Sequence, residues 1–241
     1  MPGPSALSFD ETVEVLRPAL PDDTLVLVGG QALNYWLAYY RKRDRRLKKH
    51  RGVTSTDIDF LGSPASIDKL AKAIRGRLKH EGARSVTIAV VRFTDSAGTE
   101  RVIDFLRTVH GLKEARVRAT AVPVDTIGGE LRIMHPVLCL ESRVHNVHDL
   151  EEYRTPRALR QLAAAIGVAR AHVIERCDGG DVRGARRAIS LIGKLASSNA
   201  GRAVYAAHEL NVLDAIPEDT RLGEKFLRED LPRIRQRAGR K

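Results

Sequence analysis

The sequence predicts an α+β chain, with a mixed sheet and helices over residues 1–135 and an α-helical domain over residues 136–241. Residues 24–40 follow the pattern of a strand, a glycine turn and a helix, and residues 86–106 form two β-branched runs around a turn sequence. After Pro136 the apolar residues recur at helical spacing. A length of 241 residues, 43% of them hydrophobic, is enough for one or two domains with an adequate core.

Each element has its own signal. Ser8 and Glu11 form a capping box that predicts a first helix, and Pro18 ends it. A strand at 24–28, a helix at 31–40, a strand at 56–61 and a helix at 66–80 follow. The hairpin has strands at 86–93 and 99–106, and a further strand pair lies at 122–124 and 131–133. Helices are then predicted at 136–150, 156–177, 181–197, 201–210 and 222–237.

The turn between the first strand and its helix carries the first candidate binding residues, Gly29, Gly30 and Gln31. Glycine lets backbone come close to a ligand, and the free N–H groups at the start of a helix favour phosphate. We therefore expect this turn to bind the phosphates of a nucleotide. A plain turn is the alternative, because a glycine pair after a strand is often no more than that.

Asp57 and Asp59 lie in a strand where side chains alternate between two faces. Both carboxylates therefore share one face, while Ile58 and Phe60 point to the other. Two close carboxylates repel unless a cation lies between them, and their oxygens suit Mg²⁺ bridged to substrate phosphates. Alternatively, Asp57 caps a turn and Asp59 is a solvated strand residue.

Asp104 supplies a third carboxylate, inside the otherwise apolar strand of residues 101–106. Two-metal phosphoryl transfer needs a third acidic ligand for the metal that activates the attacking hydroxyl. The sequence thus predicts two Mg²⁺ ions, with Asp57 and Asp59 holding both and Asp104 holding the one at the nucleophile.

The order of Gly29-Gly30, Asp57-x-Asp59 and Asp104 on these elements resembles the DNA polymerase β-like nucleotidyltransferase superfamily. Within it, residues 29–33 and 55–60 are similar to the AbiEii-type toxins of abortive-infection and toxin–antitoxin systems. The resemblance covers about residues 24 to 150 and implies a nucleotidyltransferase-type mixed sheet. It also implies roles for two residues after the sheet, Arg143 contacting triphosphate and Asp149 orienting it, although the family's usual lysine is not evident there.

The interval of 27 positions from Gly30 to Asp57 is longer than is usual in that superfamily, which indicates an insertion. Residues 41–51 within it hold eight Lys or Arg and one Asp, and the whole chain carries a net charge of +11. So much positive charge favours a polyanion such as RNA. The alternative is a solvated helix end.

The sequence therefore predicts a Mg²⁺-dependent nucleotidyltransferase that moves NMP from an NTP to an acceptor hydroxyl and releases pyrophosphate. RNA, such as a tRNA 3′ end, fits the charge best as the acceptor, and a toxin role would add a small antitoxin protein as partner. The alternatives are a non-catalytic nucleic-acid-binding protein that keeps the fold, and an aminoglycoside-type enzyme that modifies a small molecule. We expect a cytoplasmic protein with no membrane association, because the sequence shows no signal peptide pattern and no apolar run as long as a membrane span.

Overall fold

A computed structural model describes residues 7–50 and 57–239. Three residues used in the sequence interpretation, Arg51, Ser55 and Thr56, lie outside these ranges.

The described chain contains one mixed sheet of seven strands, in the order β3-β4-β5-β2-β1-β7-β6. Two neighbouring pairs, β2 with β5 and β1 with β7, are parallel, and the other pairs are antiparallel. The predicted fold class, a mixed sheet with helices followed by a helical part, is confirmed. The strands are β1 (Val26–Val28), β2 (Ile58–Leu61), β3 (Arg77–His80), β4 (Thr87–Thr94), β5 (Glu100–Leu106), β6 (Val122–Thr126) and β7 (Gly129–Ile133).

Along the chain, the α-helices of the first half lie before or between the strands, and those of the second half follow the last strand. They are α1 (Phe9–Leu16), α2 (Gly29–Arg41), α3 (Pro64–Ala73), α4 (Glu114–Thr120), α5 (Pro136–Asp149), α6 (Pro156–Asp178), α7 (Val182–Ser197), α8 (Asn199–His208) and α9 (Leu231–Gly239). A 3₁₀ helix at Arg45–Lys49 lies between α2 and β2, and a π-helical turn at Phe226–Asp230 leads into α9. No helix in the described ranges is both long enough and apolar enough to cross a membrane.

The chain divides into two compact units. The sheet unit comprises Met1–Tyr35 and Thr54–His135, and the helical unit comprises Trp36–Val53 and Pro136–Lys241. The sequence division lies at residue 135, whereas the described residues 36–50 group with the helical unit. The described part of the insertion therefore belongs to the helical unit.

The start of α1 agrees with its sequence signal. Ser8 Oγ accepts a hydrogen bond from Glu11 N at 3.2 Å, and the Glu11 carboxylate accepts one from Ser8 N at 2.7 Å. This reciprocal pair satisfies two backbone donors that a helix start otherwise leaves without partners. Thr12, Val13 and Leu16 then turn inward and are buried.

The predicted helix at 66–80 is wrong over its second half, because α3 ends at Ala73 and residues 77–80 form the edge strand β3. Arg75 has a φ of 53°, a left-handed conformation that stops a helix. Gly76 then passes so close to β4 that an added Cβ would lie 2.4 Å from Val91 Cγ1. Leu78 continues the helical spacing in sequence, but it pairs across the sheet with Val91 instead.

The side chains of Leu47 and Tyr40 anchor the insertion in the helical unit. Leu47 is buried in the 3₁₀ helix, where a Cβ added to Gly167 of α6 would lie 2.6 Å from its Cδ2. The Tyr40 hydroxyl donates to Glu175 Oε2 at 2.8 Å and lies 3.1 Å from His172 Nδ1. Because glycine at residue 167 leaves room for Leu47, α6 and the insertion pack closely.

Candidate active site

The three candidate aspartates lie on one face of the sheet. Asp57 immediately precedes β2, Asp59 lies within β2, and Asp104 lies in the parallel neighbour β5. Asp59 and Asp104 are direct register partners, so their side chains leave the sheet on the same side. Asp57 has the same parity as Asp59. The structure thus brings together the acidic residues that the sequence analysis selected.

The side chains on the opposite face of β2 and β5 are buried in the core. Ile58, Phe60, Ile103 and Phe105 have no exposed surface, and the rings of Phe60 and Phe105 stack with centroids 6.1 Å apart. Burying side chains of this size contributes about 1.5–3 kcal/mol each. The register of β2 and β5 is therefore strongly specified, because a shift by one residue would exchange this apolar row with the aspartates.

The electrostatics of Asp104 show that the carboxylates influence one another. Burial raises the pKa of Asp104, the nearby charge of Asp57 raises it further, Arg92 lowers it, and Glu81 adds a small increase. A carboxylate that is half-buried and faces another negative charge is costly to ionise. A cation placed between Asp57 and Asp104 would relieve that cost.

The glycine turn lies directly against Asp59. Gly29 is the first residue of α2 and has a φ of 63°, and Val28 before it pairs with Asp59 across β1 and β2. A Cβ added at Gly29 would lie 2.0 Å from Asp59 Oδ2. Glycine is needed here both for its left-handed backbone and for the space that the carboxylate occupies.

The N-terminal end of α2 therefore lies at the acidic site, and this is the end of a helix that attracts anions. The first N–H groups of a helix have no partner within it, and the helix dipole adds partial positive charge. Gly29, Gly30 and Gln31 supply the backbone of this first turn. The Gln31 side chain is fully buried and donates through Nε2 to the Leu7 carbonyl at 3.2 Å. Any phosphate contact by Gln31 would thus come from its backbone.

The donor chemistry of the site suits Mg²⁺, which prefers oxygen ligands. Within residues 7–50 and 57–239, however, no group of three or more His, Cys, Asp or Glu side chains is already spaced as a metal-binding shell. Mg²⁺ usually keeps several waters and binds through one or two carboxylates together with substrate phosphates, so it does not require such a shell. The residues fit a Mg²⁺ ion that arrives with a nucleotide.

A large cavity of the sheet unit lies away from these aspartates. Its volume is about 1280 Å³, and its lining includes Phe93 and Arg101, which point to the sheet face opposite Asp104. Its lining is rich in acidic side chains, which are those of Asp10, Glu11, Glu14, Asp95 and Asp125. None of the three aspartates of the site lines it, so the candidate site is defined by the strand register rather than by that cavity.

Arg143 and Asp149 lie on α5, in the helical unit. Arg143 is buried, and its charge acts on Cys139, whose pKa burial nevertheless raises to about 12. The Asp149 carboxylate lies between two histidines, 3.2 Å from His145 Nδ1 and 2.5 Å from His148 Nδ1. Each histidine thus has a carboxylate partner. Triphosphate contacts by Arg143 and Asp149 remain predictions.

The basic segment, residues 41–49 in the described chain, uses part of its charge for structure. Arg41 donates to the carbonyls of Leu47 and His50, and Arg43 pairs with Glu175 at 2.9 Å. The exposed cations that remain are Lys42, Arg45, Arg46, Lys48 and Lys49. RNA binding by this segment remains a prediction.

Three charged residues near Asp104 are not indicated by the sequence patterns above. Lys79 and Arg92 extend from the same sheet face as Asp104, and Glu81 and Arg92 shift its pKa. Charged and uncharged residues alternate from Arg77 to Leu78 and Lys79, which is a strand signal. The helical spacing of Ile74 and Leu78 competes with this signal and predicts a helix instead.

No protein-family model matches the chain, and no curated protein matches it. Among solved structures, the chain resembles an antigenic nucleotidyltransferase-like protein from Paracoccidioides brasiliensis, with a TM-score of 0.44 and 13% sequence identity. The match covers 76% of this chain and 95% of that protein. At this distance the likeness does not assign a family.

Proposed function

We propose that the chain is a Mg²⁺-dependent nucleotidyltransferase of the polymerase β-like kind, which transfers NMP from an NTP to an acceptor hydroxyl. The observation that carries this proposal is the register pairing of Asp59 with Asp104, with Asp57 on the same face and the start of α2 against Asp59. This arrangement combines an anion-binding helix start with carboxylates that suit a cation.

Each residue has a defined task in this proposal. The first-turn N–H groups of Gly29, Gly30 and Gln31 bind the triphosphate, and Asp57, Asp59 and Asp104 would hold two Mg²⁺ ions. Those ions would neutralise phosphate charge and make the acceptor hydroxyl more acidic. The acceptor oxygen forms a bond to the α-phosphorus as the bond from that phosphorus to the bridging oxygen breaks. Pyrophosphate takes that electron pair, and the hydroxyl proton leaves to solvent.

The finer assignment rests on the sequence resemblance to AbiEii-type toxins. It names RNA, such as a tRNA 3′ end, as acceptor, a toxin role in a toxin–antitoxin or abortive-infection system, and a small antitoxin protein as partner. The net charge of +11 supports an anionic acceptor. A cationic drug fits less well as the acceptor, because it prefers an acidic pocket, and the acidic cavity includes Phe93 and Arg101 on the sheet face opposite the aspartates.

The decisive experiment incubates the purified chain with each labelled NTP, Mg²⁺ and total RNA or tRNA. Labelled RNA supports the enzyme, whereas RNA binding without label supports the non-catalytic alternative. Asp57→Asn and Asp59→Asn should each lower the rate more than about a hundredfold, because losing a metal-binding charge costs about 3 kcal/mol or more. Asp125→Asn, an exposed acid on the edge strand β6, is the matched control and should keep full activity. A double Asp57, Asp59 variant with normal activity would refute the assignment.

A further inference from the structure

Three exposed cations share the sheet face of the aspartates, and together we call them the strand cations: Arg77 and Lys79 of β3 and Arg92 of β4. Lys79 pairs with Val90, Val90 pairs with Asp104, and Asp104 pairs with Asp59, so these four residues form one row across four strands. Because adjacent strands are about 4.8 Å apart, the backbone of Lys79 is about 10 Å from that of Asp104.

Two of the strand cations face each other directly, since Arg77 is the register partner of Arg92. Like charges in opposite positions destabilise a strand pair. Glu100 is their shared carboxylate partner, at 3.7 Å from Arg77 and 3.9 Å from Arg92. The side chains of Arg77 and Arg92 are 85% and 56% exposed, and exposed ion pairs of this length contribute about 0–1 kcal/mol. One weakly held carboxylate thus serves two guanidinium groups, and an incoming phosphate could displace it.

The strand cations also lie close to the acidic site. Arg92 pairs with Val102, which is two residues before Asp104 and on the same face of β5. Lys79 pairs at 2.8 Å with Glu81. A phosphate bound to the strand cations would therefore lie beside the place where the acceptor hydroxyl must reach Asp104.

We propose that the strand cations bind the phosphodiester backbone of a nucleic-acid acceptor and so place its terminal hydroxyl at Asp104. This inference rests on the proposed function and assigns the acceptor-binding surface within it. The strand cations present guanidinium and ammonium groups and include no aromatic side chain, so they contact phosphates and read no base. They should therefore bind chains of different sequence equally well.

This surface differs from the basic segment considered in the sequence analysis. Arg41 and Arg43 of that segment are committed to contacts within the helical unit, and the segment belongs to that unit. The strand cations belong to the sheet unit and leave the same face as the three aspartates.

The test measures binding of a labelled RNA oligonucleotide with a free 3′ hydroxyl to the full chain across a series of salt concentrations. The variant Arg77→Gln/Lys79→Gln/Arg92→Gln should lower the slope of log K against log salt by about 2, because each single-strand phosphate contact contributes about 0.7. That change corresponds to binding about a hundredfold weaker at ~0.1 M salt. The affinity for a DNA oligonucleotide of the same sequence should fall as much, because the shared phosphodiester backbone is what binds. A loss of affinity confined to RNA would also place the acceptor here and would show that its 2′-hydroxyl is recognised.

A matched control removes the same charge from exposed lysines outside the strands. The variant Lys69→Gln/Lys72→Gln/Lys113→Gln should leave the salt slope unchanged, because it lowers the overall positive charge but keeps the strand cations. Arg77→Lys/Arg92→Lys keeps the charge and should keep most of the binding. Thermal unfolding of each variant checks that it is folded.

The outcomes separate this inference from the proposed function. If the glutamine variant binds RNA with the same affinity and slope as the parent, or if the lysine control loses as much, the surface assignment is wrong even when NMP transfer occurs. If the parent binds RNA through the strand cations but transfers no NMP, the surface stands and the proposed activity fails.

Discussion

The carboxylate of Asp59 occupies the space beside Gly29 where a side chain would begin, 2.0 Å from the ideal Cβ position. The first turn of α2 and the acidic strand β2 are therefore in direct contact. A phosphate held by one would lie beside a cation held by the other, and a change at residue 29 should disturb both functions.

Gly29→Ala should lower activity far more than it lowers stability. The alanine methyl would displace the Asp59 carboxylate, and the left-handed backbone adds a cost of about 1–2 kcal/mol. Gly98→Ala is the matched control, because Gly98 also has a positive φ of 79° but an added Cβ there meets nothing within 4 Å. The measurements are the transfer rate and the free energy of unfolding. Equal activity losses in the two variants would show that the backbone conformation alone matters.

Asp104→Asn should stabilise the protein at neutral pH when Mg²⁺ is absent. The pKa of Asp104 is raised in the folded state, so the folded protein binds more protons than the unfolded chain between the ordinary and the raised pKa. Stability is then lost as pH rises through that range, and the asparagine variant escapes the loss. Thermal unfolding in EDTA across pH tests this, and a neutral-pH melting temperature below that of the parent would contradict it.

Replacing Asp104 by Ala should spare NTP–Mg²⁺ binding more than chemistry. In the proposed mechanism Asp104 serves the attacking hydroxyl, whereas the triphosphate is bound at Gly29, Gly30 and Gln31. Nucleotide affinity and the single-turnover rate are measured side by side. Equal losses in both quantities would contradict this division of roles.

The period-two pattern of residues 57–60 is sufficient to predict one shared sheet face for Asp57 and Asp59, because alternation in a strand is fixed by backbone geometry. The partner strand was not predictable. β2 lies beside β5 in parallel and beside β1 in antiparallel orientation, and such pairing depends on contacts distant in sequence, such as Phe60 with Phe105.

The edge strand β3 shows where local patterns fail. Ile74 and Leu78 keep helical spacing, and the stop at Arg75 comes from a residue type that seldom has a positive φ. Only pairing with β4 makes residues 77–80 a strand, and that tertiary contact overrides the local propensity. The strand cations became visible as a set only through this pairing.

The helical unit should lose stability as pH falls from 6.5 toward 4. His172 is 5% exposed, and burial, with a smaller contribution from Arg176, lowers its pKa to about 4 from 6.5. Between these pH values the unfolded chain binds a proton that the folded protein does not. The free energy of unfolding therefore falls by about 3 kcal/mol as the pH falls. His172→Gln should flatten this dependence, and His208→Gln should not. Denaturant unfolding at several pH values measures it, and identical slopes for the parent and His172→Gln would exclude His172 as the cause.

The exposed cations of the basic segment should contribute to RNA binding separately from the strand cations. Replacing Arg45, Arg46, Lys48 and Lys49 by Ala should lower the salt slope of RNA binding by about 3 and change NTP binding less, because each lost phosphate contact removes about 0.7 from the slope. These four side chains are exposed, whereas Arg41 and Arg43 are left in place because they bond within the helical unit.

A comparison variant locates the contact if that prediction fails. Arg183, Arg187 and Lys194 form an exposed basic row on α7, and their replacement by Ala removes similar charge from the same unit. If the segment variant keeps the parent's affinity and slope while the α7 variant loses both, RNA contacts the helical unit along α7 and the segment is a solvated surface. If both variants behave as the parent and the strand cation variant does not, the acceptor is bound by the sheet unit alone.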